Sequence, residues 1–122
     1  MDITNPLNQA FDDLATPPGS SAAEELAKVA LKDVKVIKAF NTTFAGLLAQ
    51  GHVADQPLDV FIAGDDAQAK ATVAKLIEEG GQRALDVGPV RRARQLEGLG
   101  LLSITLQSKV DKPWMSAVKI LA

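Results

Sequence analysis

Several residue types are missing or scarce in this chain of 122 residues, and each shortage excludes a class of function. There is no cysteine, which excludes disulfides, thiolate metal sites and cysteine nucleophiles. His52 is the only histidine, so one chain can build neither a metal site with two histidines nor a conventional catalytic triad. Aromatic residues make up only 4% of the chain, which argues against stacking platforms for nucleic-acid bases.

The charge and hydrophobic content that remain are those of an ordinary globular domain. The net charge is −2, so the chain offers no bulk attraction for nucleic acid or for an anionic membrane surface. No apolar run reaches the roughly 18 residues that a membrane span needs, and the N-terminus lacks the pattern of a signal peptide. We therefore expect one domain over residues 1–122, located in the cytoplasm.

Strand and helix signals alternate along the chain. The predicted strands cover residues 34–40, 58–63, 83–87 and, as an edge strand, 116–121. The predicted helices cover residues 22–31, 43–50, 67–79 and 91–107. Ser21 and Glu24 have the spacing of a capping box before the first helix, and Gly80–Gly81 ends the third. This alternation predicts an α/β fold with a parallel sheet and right-handed crossovers.

Two polar turns, Asn41–Thr43 and Gly64–Asp66, each follow a strand that is predicted to be buried. In a parallel sheet both turns would lie at the carboxyl edge, where such sheets bind ligands. The amide and hydroxyl groups of the first turn can bind a planar heterocycle, but spacing alone favours Thr42 or Thr43 as the cap of the next helix. The two carboxylates of the second turn suit Mg²⁺, yet a capping role for them is favoured.

Three arginines and the single tryptophan also call for an interpretation. Arg91, Arg92 and Arg94 oppose the helix dipole at the start of the fourth helix. They indicate either an anionic ligand or acidic partner surface, or a solvated face paired with Glu97 or with neighbouring chains. Trp114 lies just before an apolar tail and is expected to anchor that tail onto the body of the domain or onto a second subunit.

Six segments of the chain resemble, in the same order, segments of one protein family. They are DITNPL at 2–7, TPPGSSAAEELA at 16–27, VIKAFNTTFAGLL at 36–48, PLDVFIAGDD at 57–66, ALDVGPVRRARQLEGLGLL at 84–102 and SAVKIL at 116–121. Together they resemble the C-terminal half of the coenzyme F-420-dependent NADP oxidoreductases, a family of predicted dinucleotide-binding proteins.

The resemblance implies a fold and a chemistry. The expected fold is α/β, a partial Rossmann-like, NAD(P)-binding three-layer sandwich that lacks the N-terminal Gly-rich βαβ unit. No Gly-x-Gly-x-x-Gly occurs in the chain, so we expect a truncated relative of the family. The implied chemistry is hydride transfer between NADP(H) and a deazaflavin or flavin, in which protein residues position the two rings and no acid or base is required.

The same resemblance implies which residues contact the cofactor, and none of them is a catalytic acid, base or metal ligand. Asn5 and Pro6 would lie beside the nicotinamide. The floor of the cleft would be formed by Asn41, Thr42 and Thr43. Ala117 would approach from the C-terminal tail.

A sheet without its first half would leave an apolar edge uncovered, above all at residues 34–39 and Ile3. Exposed edges invite pairing with another chain, so we expect a homodimer or a higher homo-oligomer. The alternative to a cofactor-dependent relative is a non-catalytic α/β module that serves oligomerisation or binding and holds no cofactor.

Overall fold

The computed structural model describes all residues from 1 to 122. The helices are α1 (Ala22–Val29), α2 (Ala45–Gln50), α3 (Ala67–Glu79) and α4 (Ala93–Thr105). The strands are β1 (His52–Val53), β2 (Gln56–Pro57), β3 (Asp59–Ile62) and β4 (Arg83–Asp86). Short 3-10 turns flank α4 at Val90–Arg92 and Leu106–Lys109. None of the helices combines the length and the apolarity that crossing a bilayer would need.

The central sheet is built on β3 and β4, which run parallel from Asp59 opposite Arg83 onward. On the other side of β3, Lys38 and Ala63 exchange two backbone hydrogen bonds of 2.8 and 3.0 Å in an antiparallel bridge. Lys38 also forms a parallel bridge with Asp2, which completes the order Asp2, Lys38, β3, β4. Most of the regular pairing therefore lies in β3 and β4.

The direction of the segment around Lys38 corrects one prediction. Because this segment runs antiparallel to β3, the turns Asn41–Thr43 and Gly64–Asp66 follow strand ends on opposite sides of the sheet. They do not share one carboxyl end, as a parallel arrangement would require. The chain between Asn41 and β3 holds only the six-residue α2 and the β1–β2 hairpin. A parallel neighbour would need a long crossover connection. Because none is present here, the chain turns back and β3 runs in the opposite direction to the Lys38 segment.

Apolar side chains cover both faces of the sheet. One face packs Ile37, Val60 and Ile62 against Ile77 of α3. The other face packs Phe61 and Ala63 against Leu96 of α4, together with Val118 of the C-terminal tail. The result is helix α3, the sheet, and α4 with the tail, so the expected three-layer α/β arrangement is confirmed.

Local signals set the beginnings of α1 and α3 as the sequence predicts. The Ser21 hydroxyl accepts from the backbone N–H of Glu24 at 3.1 Å, and the Asp66 carboxylate accepts from that of Ala69 at 2.8 Å. These side chains satisfy N–H groups that have no partner within the helix.

The tail after the last 3-10 turn has no regular structure, so the predicted edge strand at 116–121 is wrong. Side chains hold the tail instead of a strand ladder. The carboxylate of Asp59 accepts from the Lys119 ammonium at 2.9 Å and from the Ile120 backbone N–H at 2.8 Å. The Gln107 amide oxygen accepts from the Trp114 backbone N–H at 2.6 Å. Because these bonds run to side chains, the backbone of the tail does not need to align with β3.

Candidate functional site

A cavity of about 300 Å³ lies at the end of the sheet segments that contain Asp2 and Lys38. Three of the residues expected to contact a cofactor line it together, namely Asn5, Asn41 and Thr43. Its remaining walls are apolar and come from the N-terminal segment, α2, α4 and the tail. No lining residue is titratable, so the cavity offers hydrogen bonds and apolar surface but no acid or base.

The other three expected contacts lie elsewhere. Thr42 and Ala117 line a smaller neighbouring cavity of about 140 Å³, together with Ser103 of α4. The tail therefore approaches the Asn41–Thr43 turn at Ala117, on its Thr42 side. Pro6 lines neither cavity, and its carbonyl accepts from the backbone N–H of Ala15 at 2.7 Å. A cofactor contact by Pro6 stays a prediction.

Asn5 and Asn41 form a reciprocal pair at the base of the larger cavity. The Asn5 amide donates to the backbone carbonyl of Asn41 at 2.7 Å, and the Asn41 amide donates to Oδ1 of Asn5 at 3.0 Å. The Asn41 amide also donates to the carbonyl of Leu96 at 2.7 Å. Gly100 makes this approach possible, since a Cβ there would overlap Oδ1 of Asn5 and lie 3.0 Å from Nδ2 of Asn41.

The capping interpretation of the Asn41–Thr43 turn is wrong. Helix α2 begins later than predicted, at Ala45, and its N-cap is Phe44, which makes no side-chain cap bond. Asn41 instead uses its side chain across the fold. Phe40, the residue before it, has a φ of 62°, a left-handed conformation that is rare for a bulky residue. Such conformations collect at ligand sites, where the surrounding structure compensates for the strain.

Phe44 and Trp114 form an aromatic wall on one side of the larger cavity. Their ring centroids lie 5.1 Å apart at 84°, the edge-to-face geometry that aromatic pairs favour. Trp114 is 52% exposed and has a φ of 65°, and its backbone is fixed by Gln107. The expectation that Trp114 anchors the tail is met through Phe44, and the same contact shapes the cavity.

A buried charge cluster, formed by Asp2, Lys38 and Glu97, joins the N-terminal segment, the Lys38 segment and α4. The Lys38 ammonium is fully buried and donates to Asp2 at 3.0 Å, to Glu97 at 2.9 Å and to the carbonyl of Thr4 at 2.5 Å. All three of its protons are used. The Glu97 carboxylate also accepts from the backbone N–H groups of Ala22 at 2.9 Å and Ala23 at 3.2 Å.

The buried charge cluster and the base of the cavity lie on the same three segments. Asp2 stands three residues before Asn5, Lys38 three before Asn41, and Glu97 three before Gly100, which contacts both asparagines. Burial alone would raise the pKa of Asp2, but hydrogen bonds from Thr4 and Lys38 hold that pKa below its usual range. None of these three residues is among the candidate site residues predicted from the sequence, although a lysine inside the apolar stretch VIKAF is a usable signal.

The remaining candidates take structural or surface positions. Asp65 accepts from the backbone N–H of Val90 at 2.9 Å, and no cluster of three or more acidic, histidine or cysteine side chains could hold a metal ion. Arg94 makes a bidentate pair with Glu24 at 2.9 and 2.7 Å, not the expected pair with Glu97. His52 is exposed, and its Nδ1 lies 2.8 Å from the carbonyl of Gln50.

No protein-family profile matches the chain. Over 116 residues the chain is 34% identical to an F420-dependent NADP reductase of Methanocaldococcus jannaschii, covering 89% of this chain and 50% of that protein. A candidate F420-dependent NADP reductase of Arthrobacter sp. FB24 superposes with a TM-score of 0.81 at 32% identity, covering 92% of this chain and 52% of that one. A hypothetical protein of Sinorhizobium meliloti superposes at 0.65 with 27% identity, covering 72% and 43%. The chain thus spans about half the length of the curated relative, consistent with its C-terminal half.

Proposed function

Because the chain is related to F420-dependent NADP reductases over about half of their length, we propose that it contributes the ring-binding side of an NADP oxidoreductase site. The family chemistry is hydride transfer between NADP(H) and a deazaflavin or flavin. The larger cavity, lined by Asn5, Asn41 and Thr43, is the proposed contact surface for the reacting ring.

The composition of this cavity is the observation that carries the proposal. Hydride transfer needs two rings held in register and no proton donor or acceptor from the protein. The cavity offers amides, a threonine hydroxyl and aromatic walls, and contains no titratable side chain. A site for acid–base or nucleophilic catalysis would need such a group within reach of the reacting atoms.

The volume of the cavity limits how much of a cofactor it can take. At about 300 Å³ it is at the small end of ligand pockets, which suits one ring system rather than an entire dinucleotide. The proposal therefore concerns the nicotinamide or deazaflavin ring alone. The phosphates and the adenosine end would rest on groups outside these residues, because the chain has no Gly-rich phosphate loop.

Five residues that line the cavity have a defined part in this proposal. NADP, when bound, supplies the ring that carries the hydride. Asn5 and Asn41 orient polar substituents of that ring, and Thr43 offers a further hydroxyl. Phe44 and Trp114 cover a ring face and exclude water, which strengthens the polar contacts inside. Ala117 and Thr42, in the neighbouring cavity, are proposed to contact the cofactor at its margin.

Ligand titrations followed by the fluorescence of Trp114, the only tryptophan, test the proposal. Reduced nicotinamide mononucleotide, FMN and a deazaflavin are expected to change the emission with saturation, in the micromolar range. The control is 2′-phospho-ADP-ribose, which carries the other end of NADP and is expected to leave the emission unchanged. If all ring ligands remain silent up to millimolar concentration, the chain acts as the alternative, a non-catalytic α/β module.

We also propose that the chain forms a homo-oligomer through the edge of the sheet at Asp2. That edge is paired on one side only, by backbone bonds to Ile37 and Ala39, and the next residue, Ile3, is 58% exposed. Unpaired apolar edges favour strand addition. Light scattering should give a mass above that of one chain, and Ile3→Lys should reduce it. A monodisperse monomer at moderate salt contradicts the proposal.

A further inference from the structure

The orientation of the Asn41 side-chain amide is determined by backbone carbonyls. Nδ2 of Asn41 lies 2.7 Å from the carbonyl of Leu96, and Nδ2 of Asn5 lies 2.7 Å from the carbonyl of Asn41. A carbonyl can only accept, so rotating either amide by half a turn would place two acceptors against each other. Both amides are therefore fixed with nitrogen toward the carbonyls.

This orientation leaves Oδ1 of Asn41 without a donor. The residue is 5% exposed, and Oδ1 is the one buried side-chain polar atom of the protein that no protein group satisfies. The neighbouring polar groups contrast with it, because Lys38, Glu97 and Gln107 are buried with hydrogen-bond partners. Buried acceptors are almost always paired, so an unpaired one on a residue that lines a cavity points to a donor that does not belong to the protein.

The chemistry of Oδ1 determines which kind of ligand group can bind it. An amide oxygen accepts and cannot donate, so a ligand atom facing it has to carry an N–H or O–H. The cavity that Asn41 lines is otherwise mostly apolar, which makes a mismatched acceptor unfavourable there. Among planar ring cofactors, the carboxamide of nicotinamide and the pyrimidine-ring imide of a deazaflavin or flavin both supply an N–H.

We propose that Asn41 is the specificity-determining residue of the larger cavity, with Oδ1 accepting an N–H from a planar heterocyclic ligand. The cavity then selects rings that bear an amide or imide N–H over the same rings with a ketone or an N-methyl group. This inference rests on the proposed function, since it names the chemistry that the same site requires. The absence of a side chain at Gly100 is also required, because a Cβ at that position would displace Asn5 from its pair with Asn41.

The direct test changes the ligand and leaves the protein intact. Reduced nicotinamide mononucleotide is compared with its 3-acetylpyridine analogue, in which a methyl ketone keeps the carbonyl but removes both N–H donors. FMN is compared with 3-methyl-FMN, which lacks the imide N–H. At least one analogue is expected to bind about tenfold or more weakly than its parent, because it leaves a buried acceptor unpaired. The pair that discriminates identifies the source of the donor.

Variants then assign the discrimination to one atom. Asn41→Ala removes Oδ1 and should bind parent and analogue within about twofold of each other, as expected when the coupled group is absent. Thr43→Val is the matched control, because it removes another polar group from the same cavity and should keep the wild-type ratio. Circular dichroism establishes that each variant is folded, and the ligand pairs on the wild-type protein decide the question if Asn41→Ala does not fold.

The outcomes separate this inference from the proposed function. If the wild-type protein binds both members of each pair within about twofold, Asn41 is not a specificity determinant and the ring-binding function stands. If no nicotinamide or flavin ligand binds, the proposed function and this inference both fail. If Thr43→Val abolishes the discrimination and Asn41→Ala keeps it, the acceptor is not Oδ1 of Asn41 and the proposal is overturned.

Discussion

Asn5 and Asn41, which are 36 positions apart in the sequence, hold each other by two hydrogen bonds of 2.7 and 3.0 Å. One bond runs to a backbone carbonyl and the other to a side chain, so neither residue can move without the other. The pair joins the N-terminal segment to the turn after Lys38, and α4 closes over it at Gly100. The geometry of the cavity therefore depends on three separate segments of the chain.

The first prediction concerns the contact between α4 and this pair. Gly100→Ala should destabilise the protein by about 1–3 kcal/mol, because the new Cβ overlaps Asn5 and the helix must shift. Gly98→Ala is the matched control on the same helix, since a Cβ there meets nothing within 4 Å. It should stabilise by about 0.5–1 kcal/mol through helix propensity. Urea unfolding measures both, and equal shifts of the two variants would contradict the close contact.

A second prediction addresses the buried charge cluster. Lys38→Met leaves the carboxylates of Asp2 and Glu97 buried without their cation, and should lower the free energy of unfolding by about 3–5 kcal/mol. Lys28→Met is the control, because Lys28 is 66% exposed and pairs with Glu25 at the surface. Its effect should stay within about 0.5 kcal/mol. Similar losses in chemical denaturation for the two variants would show that burial of the cluster is unimportant.

The third prediction concerns the tail clamp, in which the Asp59 carboxylate accepts from Lys119 and Ile120 of the C-terminal tail. Burial would raise the pKa of Asp59, but hydrogen bonds from Arg83, the Ile120 N–H and Lys119 outweigh it and hold that pKa well below its usual range. Because the pKa is lowered on folding, the stabilisation is complete above the ordinary aspartate value of about 4 and is lost as the pH falls below it.

Asp59→Asn should therefore lower stability at neutral pH by about 2 kcal/mol and flatten the acid limb of the stability curve. Asp86→Asn is the comparison, because the Asp86 side chain is 53% exposed and accepts only from Lys70 and the Gly88 backbone N–H, so a smaller flattening of the acid limb is expected. Thermal unfolding between pH 2 and 7 measures both. The tail clamp is refuted if the acid limb of Asp59→Asn matches that of the unmodified chain.

The fourth prediction separates binding from stability at the aromatic wall. Trp114→Leu should weaken the binding of ring ligands by about 0.5–1.5 kcal/mol, since it removes the edge-to-face partner of Phe44. Its effect on stability should be small, because the side chain is 52% exposed. Phe11→Leu is the control, an exposed aromatic residue with a similar φ of 58° outside the cavity. Calorimetric titration reads both, and equal losses would contradict a role for Trp114.

The elements predicted correctly share one property, which is that neighbouring residues determine them. Helix α3 has the predicted bounds, Ala67–Glu79, because Asp66 caps its start and glycine ends it. The beginning of α1 follows from Ser21 and Glu24, three residues apart. Capping bonds join residues within one turn, so they leave a pattern in the sequence that can be recognised without the fold.

The incorrect predictions concern relations between distant segments. The direction of the Lys38 segment depends on its bonds to Ala63, and no local pattern distinguishes a parallel from an antiparallel partner. The assignment of Thr42 or Thr43 as a helix cap failed for a related reason. Both are good capping residues, but contacts of the Asn41–Thr43 turn with Asn5 and α4 placed the start of α2 two residues further on.

The sequence by itself determined the α/β class, the positions of the main helices and the six residues to inspect, because these follow from periodicity, capping and resemblance. The tertiary structure alone decided that Asn5, Asn41 and Thr43 share one cavity while Pro6 stands apart. It also decided that Lys38 reaches Glu97, 59 positions away, and that Oδ1 of Asn41 has no donor. Such contacts depend on how distant segments pack in space, so local patterns in the sequence do not predict them.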